Sequence, residues 1–381
     1  MSAGGRTRVL LLFGGRSSEH EVSCLSARSV LAAMDPERFV VTAVGITREG
    51  RWTLVDGVPE GSVGALPRVP DDGDTVALVQ TRKGPRLVRY VDGFDAAAAA
   101  VSATAGLRGD ELGPVDVCFP VLHGPYGEDG TMQGLLASLG VPYVGADVAS
   151  SAVAIDKQQM KTVFAARGLP LVPHMAVRRQ RWDADSAAVI EEIGAALRYP
   201  LFTKPVRQGS SIGIRRCAGR EELVAGIEEA FGYDRVAIVE QGVERARELE
   251  CGVLGNAQIE VTQPGEVITA HEFYDFEAKY LDEVDLRCPA DVSAEVADAC
   301  KDYARQAYLA IGARGMARVD FFYAEASGQL LVNEINTIPG FTSASMFPHL
   351  WACEGVDYPT LIGRLLELAF EAARVDGHYA P

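Results

Sequence analysis

Five consecutive apolar residues, Val9 to Phe13, run straight into Gly14-Gly15 and the polar stretch Arg16-Ser17-Ser18-Glu19-His20-Glu21. A short, uninterrupted apolar run closed by glycine predicts a strand buried on both faces. Ser18 and Glu21 have the spacing of a capping box, so a helix is expected to follow. A second apolar run, FVVTAVGIT over 39–47, predicts the next strand. Strand, glycine turn, helix, strand is the opening of a parallel α/β domain. Residues 51–110 offer only hairpin-like stretches and an alanine run at 96–100, and no function attaches to them.

The pattern returns over 115–145 with a buried strand, a glycine-rich loop, a helix and a short strand. A helix is expected from Ser150 to Gly168. YPLFTKPV is a strand leading into RQGSSIGI, and RVAIVEQGV (235–243) is another. RELECGVLGN and GEVITAHEF read as antiparallel strands, interrupted by the polar stretch YDFEAKYLDEVD. SAEVADACKDYARQAYLAIGA has the periodicity of a long amphipathic helix, and ARVDFFYAEASGQLLVNEIN that of a closing hairpin.

Composition narrows the function classes. Apolar residues are 48% and charged residues 23% of 381, as in ordinary globular proteins, and the length fits two or three domains. Fifty-two acids against 36 bases give a formal charge of −16, which argues against nucleic acid or an anionic membrane as the main partner. Seven cysteines without a CxxC pair suggest neither a disulfide framework nor a zinc site. The first apolar run is too short for a signal peptide or a membrane span, so a cytoplasmic protein is expected.

Chemistry concentrates at strand ends. In the hairpin, pairing about Ser327 would set Asp320 opposite Glu334, with Asn336 one pleat further on and Arg318 on the same face. Two facing carboxylates need a positive partner. Oxygen-only donors of this kind suit Mg²⁺ or Mn²⁺ held together with substrate phosphates, and the other reading is an ion-pair cluster with Arg318. Lys204 precedes Gly209-Ser210-Ser211-Ile212-Gly213, a loop whose N–H groups and hydroxyls could cradle a phosphate, or which is a plain flexible hairpin. The loop lacks the order of a Walker motif. Glu19 stands near a helix start, where a carboxylate could hold a substrate amine. His123 ends a buried strand and is either structural or catalytic.

Taken in order, GGRSSEHEVS, LHGPYGEDGTMQGLL, AIDKQQMK, KPVRQGSSIGI, FYDFEAKY, ARVDFF and NEINTIPGFTSASMFP resemble the D-alanine–D-alanine ligases of the ATP-grasp superfamily. That resemblance implies a three-domain α/β ATP-grasp fold: an N-terminal Rossmann-like parallel domain (1–147), a central domain (148–240) and a C-terminal domain (241–381). It implies ATP-dependent joining of two D-alanines for peptidoglycan synthesis, with two Mg²⁺ or Mn²⁺ ions per site and a cytoplasmic homodimer. By motif, Lys157, Lys204, Ser210, Ser211 and Lys279 would serve the ATP phosphates, Glu240 the adenine amino group and Glu248 the ribose. Asp320, Glu334 and Asn336 would hold the metal. Glu19 and His123 would meet the first D-alanine, and Ser345 and Met346 the second. Arg318 and the Gly340 N–H would face the developing oxyanion. FYDFEAKY matches the family's mobile loop, whose Tyr280 would bond Ser210 and Glu19; Phe276 replaces a tyrosine common there. Some ester-forming D-alanine–D-lactate ligases carry phenylalanine at the position of Tyr280 and others remodel the whole loop, so Lys279-Tyr280 favours the dipeptide reading.

Overall fold

The structure is a computed structural model and describes residues 5–61, 66–90, 109–268 and 285–377. The described residues fall into two compact units. The first comprises those of Met1–Val148, Gly340–Pro348 and Val356–Pro381, and the second those of Ala149–Pro339 and His349–Gly355.

In the first unit, strands β1 (Thr7–Gly14), β2 (Phe39–Ile46), β3 (Trp52–Leu54) and β7 (Val117–Val121) form a sheet in the order β3-β2-β1-β7. The Val9–Phe13 run is the central strand, parallel to β2 and β7 and at most 1% exposed. Covering on both faces explains its unbroken apolar character. The turn after it requires glycine. Gly14 has φ +85°, and a Cβ there would lie 2.5 Å from the Ile46 carbonyl oxygen. Helix His20–Ala33 packs on β1, and helix Tyr358–Val375, capped by Asp357 accepting from the Thr360 N–H at 2.9 Å, packs on β7. Strands β4 (Val76–Thr81), β5 (Gly84–Tyr90) and β6 (Gly109–Pro114) make a small antiparallel sheet, so the hairpins read in 51–110 are present. The alanine run lies outside the described residues.

The second unit holds two antiparallel sheets. Strands β8 (His174–Arg178), β9 (Leu201–Pro205), β10 (Arg215–Cys217) and β11 (Val236–Gln241) take the order β10-β9-β11-β8. Helices Arg179–Ala196 and Arg220–Ala230 close a core over this sheet through Ile190, Ile193, Leu223 and Ile227. The other sheet runs β15 (Asp285–Arg287), β14 (Gly265–Ile268), β12 (Arg247–Gly255), β16 (Gly315–Ala324), β17 (Gln329–Asn336), with β13 (Ile259–Val261) also paired to β12. Helix Ala294–Ala310 buries Cys300, Ala304, Ala307 and Tyr308 against it, and the Tyr308 hydroxyl donates to the Gly255 carbonyl at 2.8 Å.

One expected helix is two. Helices Val148–Ile155 and Lys157–Ala166 are separated by Asp156, which is extended and accepts from the Gln159 N–H at 3.0 Å. An aspartate that caps a new helix cannot also continue the old one.

Candidate active site

Across β16 and β17, Asp320 lies opposite Glu334 and Arg318 opposite Asn336. Opposed and i, i+2 residues share a face, so the four side chains project to one side. The rest of the hairpin pairs one residue out of step: Phe321 faces Val332, and an unbroken ladder would have set Asp320 against Asn333. A bulge between Asp320 and Phe321 restores the acidic pairing at the polar end.

The charges on this face are matched. The Arg318 guanidinium donates two hydrogen bonds to Asp320, both 2.7 Å, and lies 2.9 Å from Glu250, which stands opposite Asp320 on β12. Burial works against its charge, yet Asp320 and Glu250 outweigh that and hold Arg318 well above its ordinary pKa. The Asn336 amide donates to Asp320 at 3.0 Å. Lys157 lies 3.5 Å from Glu334 and donates to the Gln208 carbonyl at 2.8 Å. Among the described residues no three or more His, Cys, Asp or Glu converge as a complete metal cage. Asp320 and Glu334 do face each other across the strands, with Asp320 held by Arg318 and the Asn336 amide, and oxygen donors of this type would suit Mg²⁺ or Mn²⁺ completed by phosphates and water.

Arg318, Asp320, Glu250, Glu334 and Lys157 line a cavity of about 640 Å³ in the second unit, together with Lys204, Ser210, Ser211, Glu240 and Glu248. Glu240 faces Phe202 across β11 and β9, and Lys204 is two residues along on the same face, 2.6 Å from the carboxylate. A second ammonium, Lys161, reaches the other oxygen at 3.0 Å. Burial opposes ionisation of Glu240, but Lys161 and Lys204 together hold it far below the usual carboxylate range. For Lys204, burial is likewise outweighed by Glu240 and its pKa rises; Lys161, fully buried with Lys204 beside it, goes down.

The loop after β9 turns through its serines as well as its glycines. Ser210 and Ser211 themselves take left-handed backbone, at φ 46° and 59°, followed by Gly213 at 68°. Left-handed serines cost about 1 kcal/mol each or more, a strain that gathers at ligand sites. The Arg207–Asp234 pair, with bonds of 2.9 and 2.6 Å, anchors the loop's start.

In the first unit the capping box does not form. The helix N-cap is Glu19, without a side-chain cap; Glu21 is instead gripped by Arg48 at 2.7 and 2.6 Å, and Ser17 accepts from the Glu19 N–H at 3.0 Å. A guanidinium is a stronger partner for a carboxylate than one N–H. Ser17 also donates to the His123 carbonyl at 2.7 Å, which ties the strand end to the helix start. Gly124, at φ +72°, lies so close that a Cβ would sit 2.4 Å from a Glu19 carboxylate oxygen. The His123 Nε2 lies 3.0 Å from the Ser26 hydroxyl, which also accepts from the Phe341 N–H at 3.4 Å. Glu19, His123 and the start of the 340–348 segment are thus held together. Ser345 bonds the Thr342 N–H and hydroxyl at 3.1 and 2.8 Å, with its Oγ near Gly340; Met346 opens the helix Met346–Cys353 and is buried.

Lys161, Glu250 and Ser26 are site neighbours that the sequence reading passed over. Lys161 is four residues after Lys157, which sets both on one helix face. Glu250 alternates with Glu248 in RELEC. Ser26 carries no comparable signal. Lys279, Tyr280 and Phe276 lie outside the described residues.

Two family models match this chain: D-ala D-ala ligase N-terminus over residues 8–146 and D-ala D-ala ligase C-terminus over residues 163–367. The chain belongs to the D-alanine–D-alanine ligase family. A D-alanine–D-alanine ligase of Kineococcus radiotolerans is 47% identical, over 97% of this chain and 98% of its own. Among solved structures, the D-alanine–D-alanine ligase from Coxiella burnetii superposes with a TM-score of 0.79 at 31% identity, covering 98% of this chain and 96% of that one. The VanG D-Ala:D-Ser ligase from Enterococcus faecalis gives 0.77 at 32%, covering 96% and 100%. The fold is accordingly the ATP-grasp α/β fold expected for the family.

Proposed function

We propose that the protein joins two D-alanines into D-alanyl-D-alanine, converting ATP to ADP and phosphate and supplying a peptidoglycan precursor. The observation that carries this reading is the β16–β17 register, which sets Asp320 opposite Glu334 on the wall of a cavity that also holds Lys157 and Lys204, with Asn336 hydrogen-bonded to Asp320. Family membership supplies ATP as co-substrate. In this reading Asp320, Glu334 and Asn336 hold two Mg²⁺ or Mn²⁺ ions, which when bound would offset the charge of the nucleotide phosphates.

This chain's own groups do the rest. Lys157, Lys204, Lys279 and the Ser210-Ser211 turn hold the phosphates, and Glu240 and Glu248 orient adenine and ribose. The carboxylate of the first D-alanine attacks the γ-phosphorus, and Arg318, kept cationic by its two acids, reduces the repulsion between the anions. ADP leaves and an acylphosphate of D-alanine forms; the amine of the second D-alanine then attacks its acyl carbon and phosphate leaves. Arg318 and the Gly340 N–H face the oxyanion, a role worth roughly 3–4 kcal/mol where it has been removed elsewhere. Glu19 takes the first ammonium, with His123 beside it; Ser345 and Met346 receive the second substrate. Tyr280, with Lys279, belongs to a closing loop that would exclude water from the acylphosphate. The segments 1–147, 148–240 and 241–381 act as substrate, central nucleotide and metal-bearing parts of a cytoplasmic homodimer; no described helix is long and apolar enough to cross a membrane.

The test is product identification by mass spectrometry after incubation with Mg-ATP and equimolar D-alanine, D-serine and D-lactate. Dipeptide of D-alanine is expected to dominate at neutral pH. Predominant ester or mixed dipeptide, or phosphate release indifferent to D-alanine, would refute the reading.

A further inference from the structure

Glu240 is the only described carboxylate in the cavity whose two oxygens are each met by a different lysine: Lys161 at 3.0 Å and Lys204 at 2.6 Å. The two lysines are not equivalent. Lys204 is on the cavity wall, whereas Lys161 is 1% exposed, lies outside the lining, and spends another donor on the Asn333 carbonyl at 3.2 Å. Lys161 therefore touches no ligand directly. What it can control is the protonation and orientation of the group in front of it.

That control has a chemical consequence. An ionised carboxylate only accepts hydrogen bonds, whereas a protonated one also donates. Phe202, the cross-strand partner of Glu240, and apolar Val172, Val243 and Leu249 line the same cavity, as suits a planar base. A carboxylate locked as an acceptor welcomes an exocyclic amino group and repels a carbonyl oxygen in its place. We propose that Lys161 is a positioning residue for nucleotide selection: by holding Glu240 ionised and fixed from behind, it makes the cavity accept 6-amino purine nucleotides and reject 6-oxo ones. This rests on the reading of the cavity as the nucleotide site.

The experiment compares ATP with inosine triphosphate, which carries a carbonyl where ATP carries the amino group, by kcat/KM across pH. The wild-type enzyme is expected to favour ATP at least ~100-fold, the scale on which sites built around a hydrogen bond discriminate. That ratio should be flat from about pH 5.5 to about pH 8.5, because Glu240 stays ionised throughout. Lys161→Met is expected to raise the KM for ATP about 10-fold with kcat within about threefold, and to lose at least ~10-fold of the ATP preference, most strongly at the acid end. A Lys161→Met enzyme that keeps the wild-type ratio at low pH overturns the inference. Should that variant not fold, the wild-type profile alone decides, since a preference that collapses between pH 8 and pH 6, as roughly a tenfold fall, contradicts a locked acceptor. Glu240→Gln separates the two readings. If it too retains the ATP preference, Glu240 does not read the base and the nucleotide assignment itself fails. If it loses the preference while Lys161→Met does not, only the role of Lys161 falls.

Discussion

A single added methyl group tests the acidic corner of the first unit. In Gly124→Ala the new Cβ would lie 2.4 Å from a Glu19 carboxylate oxygen, in a backbone conformation that L-residues rarely adopt. Thermal unfolding should show a loss of at least about 1 kcal/mol, because neither the φ angle nor the space suits alanine. The KM for D-alanine should rise as Glu19 is displaced. Unchanged D-alanine affinity in the folded variant would remove Glu19 from the substrate site. Glu334 offers the complementary case. It is only part-buried and its paired Lys157 is 3.5 Å away, so Glu334→Gln should leave the melting temperature within about 3 °C. Activity should nevertheless fall about 100-fold or more, since a carboxylate proposed to hold the metal that offsets the phosphate charge is lost.

At the scale of elements, the break at Asp156 starts a helix that carries both Lys157 and Lys161. Asp156→Ala removes the cap accepting from Gln159, which should cost about 1 kcal/mol in denaturant melts and raise the KM for ATP through looser lysines. A stability loss without any change in ATP affinity would mean that the helix start does not position them. Much of this level could be read directly from the chain. The parallel opening followed from Val9–Phe13 and its glycines, and the acidic pairing followed from a turn centred near Ser327. Other features depended on partners remote in sequence. The bulge that confines that pairing to the polar end, from Arg318 to Asp320, is invisible in a period-2 pattern. Glu21 fits a capping box until Arg48, 27 residues on, claims it. Lys161 reads as one more polar helix residue, because its burial depends on Glu240 and the Asn333 carbonyl, on strands far away in the chain.

For the whole molecule, pH should act through buried groups that the fold holds in one protonation state. His20 is 1% exposed; its Nδ1 faces the Gly15 carbonyl at 2.8 Å, and its Nε2 accepts from the Val69 N–H at 3.1 Å. Burial lowers its pKa below 6.5, so the folded state resists a proton that the unfolded chain takes up. Its contribution is therefore complete above pH 6.5 and is lost as pH falls below that value toward the folded pKa. Glu240, also depressed, adds a second loss only below its ordinary value of 4.5. Urea melts should accordingly weaken between about pH 7 and about pH 5.5 in the wild type, and less so in a folded His20→Gln variant. Equal slopes in both would discard His20 as the cause.

The central claim is that a D-alanine carboxylate is activated by direct attack on the γ-phosphorus. It is tested most directly with D-alanine labelled by ¹⁸O in both carboxyl oxygens, incubated with Mg-ATP. The account predicts one ¹⁸O in each released phosphate and one in the peptide carbonyl of the dipeptide. Phosphate released free of label alongside dipeptide would contradict it.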